Sequence, residues 1–210
     1  TCQKSAVLRA ARVLALLLVL TWTGGGAVCR SAGAKAGSME TGAPQAGQLT
    51  SQGFDFLARN EHAAAAEAFR RAIALQPEHA AAHRGLGLAL WKLGRGGAAL
   101  RELTAATRLA PDDAEAHFEL GKLAWRLSGR PDLAQDELSK LSSSDYQARA
   151  IVALRKAAEL RPESFEIRLG LAQLYEGAGR AREAMEAASE ALRLAPSAVQ
   201  SVSARVALAQ

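Results

Sequence analysis

From Ala80 to Lys92 apolar residues recur at helical spacing, Gly94 to Gly97 breaks the run, Ala98 to Leu109 resumes it, and Pro111 stops it. The pattern predicts a helical hairpin. The same phrase recurs along the chain, closed in turn by Pro77, Pro111, Pro162 and Pro196. The first and last intervals between these prolines are equal, and the middle one is longer by half. Counting back from the prolines by one fixed step reaches Gly53, Gly87 and Ala172. A shorter step reaches Ala65, Ala99, Ala150 and Ala184, and a shorter one still reaches Ala72, Ala106, Ala157 and Ala191. A fixed period of this length predicts stacked units, a solenoid whose core is a ribbon between neighbours. Glu78, Asp112, Asp113 and Glu163 sit just past the prolines, where they can cap or charge-complement the next helix start.

The third phrase carries the extra residues, and they fall after Ser128 and Gly129, at the turn between its two helices. There Arg130, Pro131 and Asp132 lead into a segment with Leu133, Ala134, Leu138 and Leu141 on one face, ended by Ser142, Ser143 and Ser144 as a break and cap. The pattern predicts a short extra helix within an insertion at about 129–145. Its apolar face is covered either by its own stack or by a partner.

Composition narrows the class. Alanine and leucine dominate and aromatics make up only 5% of residues, which disfavours strands and predicts an all-α chain. The net charge of +5 suggests nucleic acid until it is located. Residues 1–40 carry Lys4, Arg9, Arg12, Arg30 and Lys35 against Glu40, a net +4, which leaves 21 basic and 20 acidic residues in the other 170. The repeat body is almost neutral, so no nucleic-acid partner is expected.

The leader has its own order: basic Lys4, Arg9 and Arg12, an apolar run from Val13 to Leu20 with Trp22 following, then small residues from Thr23 to Ala36. This is the grammar of a secretory signal, and the run is about half the ~20 residues of a spanning helix. The expected organisation is a signal peptide or membrane-targeting segment over 1–34, a flexible linker over 35–47, and repeats over 48–210. Export, to a bacterial periplasm or the medium, is the expected destination. Cleavage after Ala34 would remove both Cys2 and Cys29, leaving no disulfide and no thiolate metal site in the repeats. Lipidation at Cys29 is the alternative that keeps the chain on a membrane, although Gly26 stands where the usual pattern wants a large aliphatic residue and Val28 where it wants a small one.

The units resemble tetratricopeptide repeats, whose 34-residue pattern asks for Leu and Gly at positions 7 and 8, an aromatic at 11, Ala at 20, Phe at 24, Ala at 27 and Pro at 32. The first unit supplies Gly53, Phe56, Ala65, Phe69, Ala72 and Pro77. The second supplies Leu86, Gly87, Leu90, Ala99, Leu103, Ala106 and Pro111. The third opens with Leu120 and Gly121 and closes with Ala150, Leu154, Ala157 and Pro162; the fourth gives Leu171, Ala172, Tyr175, Ala184, Ala188, Ala191 and Pro196. The resemblance implies an α-solenoid of helical hairpins wound as a right-handed superhelix. It has about four repeats, at about 46–79, 80–113, 114–164 and 165–198, and a terminal helix over 199–210.

In that family the first helices present positions 2, 5, 9, 12 and 13 to a concave groove. Carried over, the rule selects a peptide-binding groove of Phe54, Arg84, Trp91, Lys92, Phe118, Lys122, Trp125 and Arg126, with Leu57 and Leu88 beside them. The resemblance implies that Trp91 and Trp125, one period apart, stand one above the other, with Lys92 and Arg126 aligned beside them. Aromatic area and cations together suit an extended peptide bearing carboxylates. Glu166 and Glu176 in the fourth unit reverse the sign at one end. The competing reading is that both tryptophans pack between repeats.

Catalytic constellations are absent: there is no His-Glu-x-x-His, no Gly-x-Ser-x-Gly, no phosphate loop and no Cys-x-x-Cys. His79 and His83 have metal-ligand spacing. His83 and His117, however, both fall at repeat position 4, where a packing residue belongs, so neither a metal nor a cofactor is expected. The expected function is a non-catalytic scaffold that holds a protein or peptide partner in its groove outside the cytoplasm. The alternative is the N-terminal repeat region of a longer or multi-subunit enzyme or envelope assembly factor.

Overall fold

The computed structural model describes residues 39–134 and 141–195, with side chains from position 44 onward. Among the described residues there are eight α-helices and no strand. They form four antiparallel hairpins: α1 (Met39–Ala58) with α2 (His62–Leu75), α3 (Ala80–Lys92) with α4 (Gly96–Leu109), α5 (Ala114–Gly129) with α6 (Ser143–Leu160), and α7 (Phe165–Gly177) with α8 (Ala181–Leu194). Each hairpin packs on the next, and the first helices α1, α3, α5 and α7 also touch one another in series. This is the α-solenoid that the period of the prolines predicts.

The helices approach closely because a glycine in one meets a large side chain in the other. A Cβ added at Gly53 would lie 2.6 Å from Phe69 Cε1, at Gly87 2.7 Å from Leu103 Cγ, and at Gly121 2.6 Å from Leu154 Cγ. The fourth unit solves the same contact differently. Ala172 and Ala188 replace the glycine and the large residue, and both are buried. Phe69 also reaches across to Gly85 of the next unit, and its ring is fully buried.

Within three hairpins the turn is made by a residue with positive φ: Asn60 at 61°, Gly94 at 77° and Gly179 at 70°. Asparagine and glycine are the residues that enter this region at least cost. Between hairpins, the side chain at repeat position 4 reaches back to the carbonyl of the proline closing the previous unit. His83 Nε2 lies 3.0 Å from the Pro77 carbonyl oxygen, His117 Nε2 lies 3.1 Å from that of Pro111, and Arg168 Nε lies 3.4 Å from that of Pro162.

One expectation changes. The linker expected over 35–47 is helical from Met39 onward. Pro44 deletes one backbone donor inside that helix. The helix persists because Ala46 is fully buried and the Thr50 hydroxyl donates to its carbonyl at 2.8 Å. In the insertion, Pro131–Ala134 forms a 3-10 helix, η1, leading into the segment where the pattern predicts a short extra helix; residues 135–140, most of that segment, lie outside the described residues. Ala134 is buried, Leu133 and Leu141 pack on the core, and the Leu133 carbonyl lies against Gly96 at the start of α4. The described part of the insertion therefore covers its own stack. Ser142 caps α6 as expected, in a reciprocal box with Asp145. The leader over 1–34 and the terminal helix expected over 199–210 lie outside the described residues.

Candidate interaction groove

Because α3, α5 and α7 stand side by side, two clefts open between them on the same face. The cleft between α3 and α5 has a volume of about 200 Å³ and is lined by Leu88, Trp91, Lys92, Lys122 and Arg126, with Leu103 and Leu123 beneath and Glu119 at its edge. The cleft between α5 and α7 is larger, about 430 Å³, and is lined by Phe118, Lys122, Trp125 and Arg126 on one side and Glu166, Leu169, Gly170 and Gln173 on the other. Lys122 and Arg126 line both clefts and form the ridge between them.

Six of the eight residues selected from the sequence thus border these two clefts. Phe54 and Arg84 do not. Phe54 packs edge-on against Phe69 with ring centroids 5.1 Å apart, and the Arg84 guanidinium lies 5.4 Å above the Phe54 ring. Arg84 Nε is 3.4 Å from Asp113 Oδ2, and Asp113 in turn caps α5 by accepting from the backbone N–H groups of Glu115 and Ala116. This pair fixes one unit to the next and stands apart from the cleft lining.

The tryptophans do not stack on one another. Arg126 extends over Trp91, its guanidinium carbon 5.9 Å from the ring centroid. Trp125 instead places its six-membered ring against Gly177 at the end of α7, leaving no room for a Cβ there. Both indoles are half-buried, so each packs across a repeat boundary and still presents an edge to a cleft. The packing reading of the tryptophans is the one this arrangement follows, with each indole still bordering a cleft.

The cations differ in how far they are engaged. Lys122 Nζ lies 2.9 Å from Glu119 Oε1 and 4.8 Å from the Phe118 ring centroid. Arg126 and Lys92 are exposed, and among the described residues neither has an ion-pair partner. At the far lip Glu166 brings the opposite charge. Glu176 does not line either cleft, so the reversal of sign rests on Glu166 alone.

Leu169 and Gln173 fall outside the selection made from the sequence, yet they occupy repeat positions 5 and 9 of the fourth unit, and position 9 is the one that selects Lys122. The position rule reaches both of them. Glu119 lies outside that rule; its place one helical turn before Lys122 on the same helix is the available cue.

His83 of the metal-spaced pair is committed to structure. Its Nδ1 lies 2.7 Å from Glu102 Oε2 while Nε2 faces the Pro77 carbonyl. Among the described residues no group of three or more His, Cys, Asp or Glu gathers to hold a metal. No described helix is long and apolar enough to cross a membrane.

Comparison with known proteins adds to this geometry. A family model described as TPR repeat matches residues 53–94, and two described as tetratricopeptide repeat match 87–145 and 148–206. Similar solved structures include TTC0263, a thermophilic TPR protein in Thermus thermophilus, at 22% identity and a TM-score of 0.60, covering 78% of this chain and 79% of that one. MamA 41-end from Desulfovibrio magneticus RS-1 is similar at 24% identity and a TM-score of 0.56, with 71% and 75% covered. The first TPR of Spaghetti (RPAP3), bound to HSP90 peptide SRMEEVD, is similar at 14% identity and a TM-score of 0.54, with 65% and 95% covered. At these identities the likeness is one of fold. No curated protein matches the chain.

Proposed function

The chain is a tetratricopeptide-repeat protein, and from that premise we propose that it holds a protein or peptide partner in the groove formed by α3, α5 and α7. Proteins of this fold are generally interaction scaffolds without catalysis, and one structural neighbour is bound to a peptide. The observation that carries the proposal is the pair of adjoining clefts, each with an indole in its wall, divided by the exposed cation Arg126 and by Lys122. Half-buried aromatics give contact area at little entropic cost, and cations beside them recognise carboxylates.

Neither cleft is lined by a serine, threonine or cysteine that could serve as a hydroxyl or thiol nucleophile. The basic, apolar and small-residue order of 1–34 supports a site of action outside the cytoplasm, with membrane attachment only through that segment or through Cys29.

The test is a pull-down from the exporting compartment with the full chain, the Trp91→Ala/Trp125→Ala variant, and a second variant, Lys92→Glu/Arg126→Glu, whose changed side chains are exposed. Circular dichroism verifies that each variant is folded. Loss of the same partner from both folded variants is expected. An unchanged partner set with folded variants would overturn the groove reading.

A further inference from the structure

The two clefts sit at a spacing that constrains what can fill both. Helices packed side by side run about 8–10 Å apart, so the clefts flanking α5 repeat at about that interval along the groove. In a β-strand, side chains on one face recur at about 7 Å and then about 14 Å, and neither distance fits. In a polyproline II segment the residues at i and i+3 share a face and are about 9 Å apart, and this matches; an α-helix comes near it only between i and i+7, about 10.5 Å apart, and its i+3 and i+4 side chains on the same face would then stand against the Lys122 and Arg126 ridge. The same conformation leaves its carbonyls without internal hydrogen bonds. Lys122, Arg126 and Gln173 border the path of the chain and can donate to them.

We infer that the partner is a segment in polyproline II conformation with apolar side chains at i and i+3 and an acidic residue between them. One apolar side chain enters the smaller cleft beside Trp91 and the other enters the larger cleft over Phe118 and beside Trp125. The intervening carboxylate meets the ridge. Charge favours this order: Lys92, Lys122 and Arg126 face Glu119 alone around the ridge, whereas Glu166 stands on the opposite lip. The inference rests on the groove reading above and adds the chemistry and conformation of the ligand.

The test uses fluorescein-labelled synthetic peptides of equal length and composition. Two leucines are separated so that the second is at i+2, i+3, i+4 or i+7 of the first, with one glutamate between them on a proline, alanine and serine background. Fluorescence anisotropy against the full chain reads affinity. The i+3 peptide is expected to bind about tenfold more tightly than the others, a difference of about 1.4 kcal/mol. Replacing its glutamate by glutamine is expected to weaken it several-fold. Trp91→Ala and Trp125→Ala are each expected to erase the spacing preference, and Lys92→Glu/Arg126→Glu to erase the preference for glutamate. A better i+4 or i+7 peptide would mean a helical ligand, and a better i+2 peptide a strand; either overturns the inference, as does equal binding or none. Where the peptides fail but both groove variants lose the partner in the pull-down, the groove reading stands and only the ligand conformation falls. Where the variants keep the partner as well, both fall.

Discussion

The guanidinium of Arg126 lies over the indole of Trp91, 5.9 Å from its ring centroid, so a cation of the third unit rests on an aromatic face of the second. A contact of this kind is worth about 0.5–1 kcal/mol at an exposed site. It joins two repeats across the floor of the groove. Arg126→Ala is expected to lower stability by no more than about 1 kcal/mol in urea unfolding, yet to shift Trp91 fluorescence. A spectrum unchanged from that of the parent would show that the pair does not persist in solution.

Gly177 is where Trp125 is held. Gly177→Ala places a methyl group against the indole at the end of α7, and overpacking of this kind costs about 1–3 kcal/mol. The expected outcome is a lower melting temperature and a more exposed Trp125, read as a red-shifted emission in a Trp22→Phe/Trp91→Phe background. Stability and emission both unaltered would mean that the indole has another place to rest.

Gly121 and Leu154 test the packing rule of the repeats. Gly121→Ala crowds Leu154, and Leu154→Ala empties a buried site at a cost of about 2–5 kcal/mol. Together they reproduce the alanine pair that the fourth unit uses at Ala172 and Ala188. The double variant is therefore expected to be more stable than the sum of the two single losses by at least about 0.5 kcal/mol, the level at which coupling is resolved. Strict additivity in a double-mutant cycle would refute the complementarity.

Asp145 should make the start of α6 acid-sensitive. Its carboxyl is held below its ordinary value, first by the hydrogen bond from the Ser142 hydroxyl, then by the Ser142 backbone N–H and the charge of Arg149. A carboxylate whose folded value is depressed contributes stability that is fully present above its unfolded value of about 3.9 and is lost as pH falls through the folded one. Below about pH 4 the protection of amides in the first turn of α6, with exchange measured against the intrinsic rate at the same pH, is expected to fall, and in Asp145→Asn to be low already at neutral pH. Equal exchange in parent and variant at neutral pH would remove the cap from the account.

Much of the fold was legible because a repeat states each rule several times. The spacing of four prolines gave the hairpins, and the glycines at a fixed step before them gave the close helix contacts. Ser142 was readable as a cap because its chemistry is local. Met39 to Gln48 misled for the same local reason: its glycines, Pro44 and threonine resemble a tether, whereas the burial of Ala46 and the Thr50 hydroxyl on its carbonyl belong to the folded helix. The groove was legible in its residues and less so in their roles. Arg84 obeys the position rule, but Asp113 at the cap of α5 draws it into an ion pair, and no periodicity announces a partner of that kind. The tryptophans had the right period for a stack; Gly177, which lets one of them lean away, belongs to a different unit.

The size-matched contacts described above have a consequence for how such a chain grows. Gly53 with Phe69, Gly87 with Leu103, and Gly121 with Leu154 are settled inside one hairpin. A gene segment encoding a hairpin therefore carries both halves of its own fit and can be copied in tandem without renegotiating either. Phe69 against Gly85 and Trp125 against Gly177 are the exceptions, fits divided between neighbours. Duplication that inserts a unit between the first and second hairpins, or between the third and fourth, has to bring a glycine at that place.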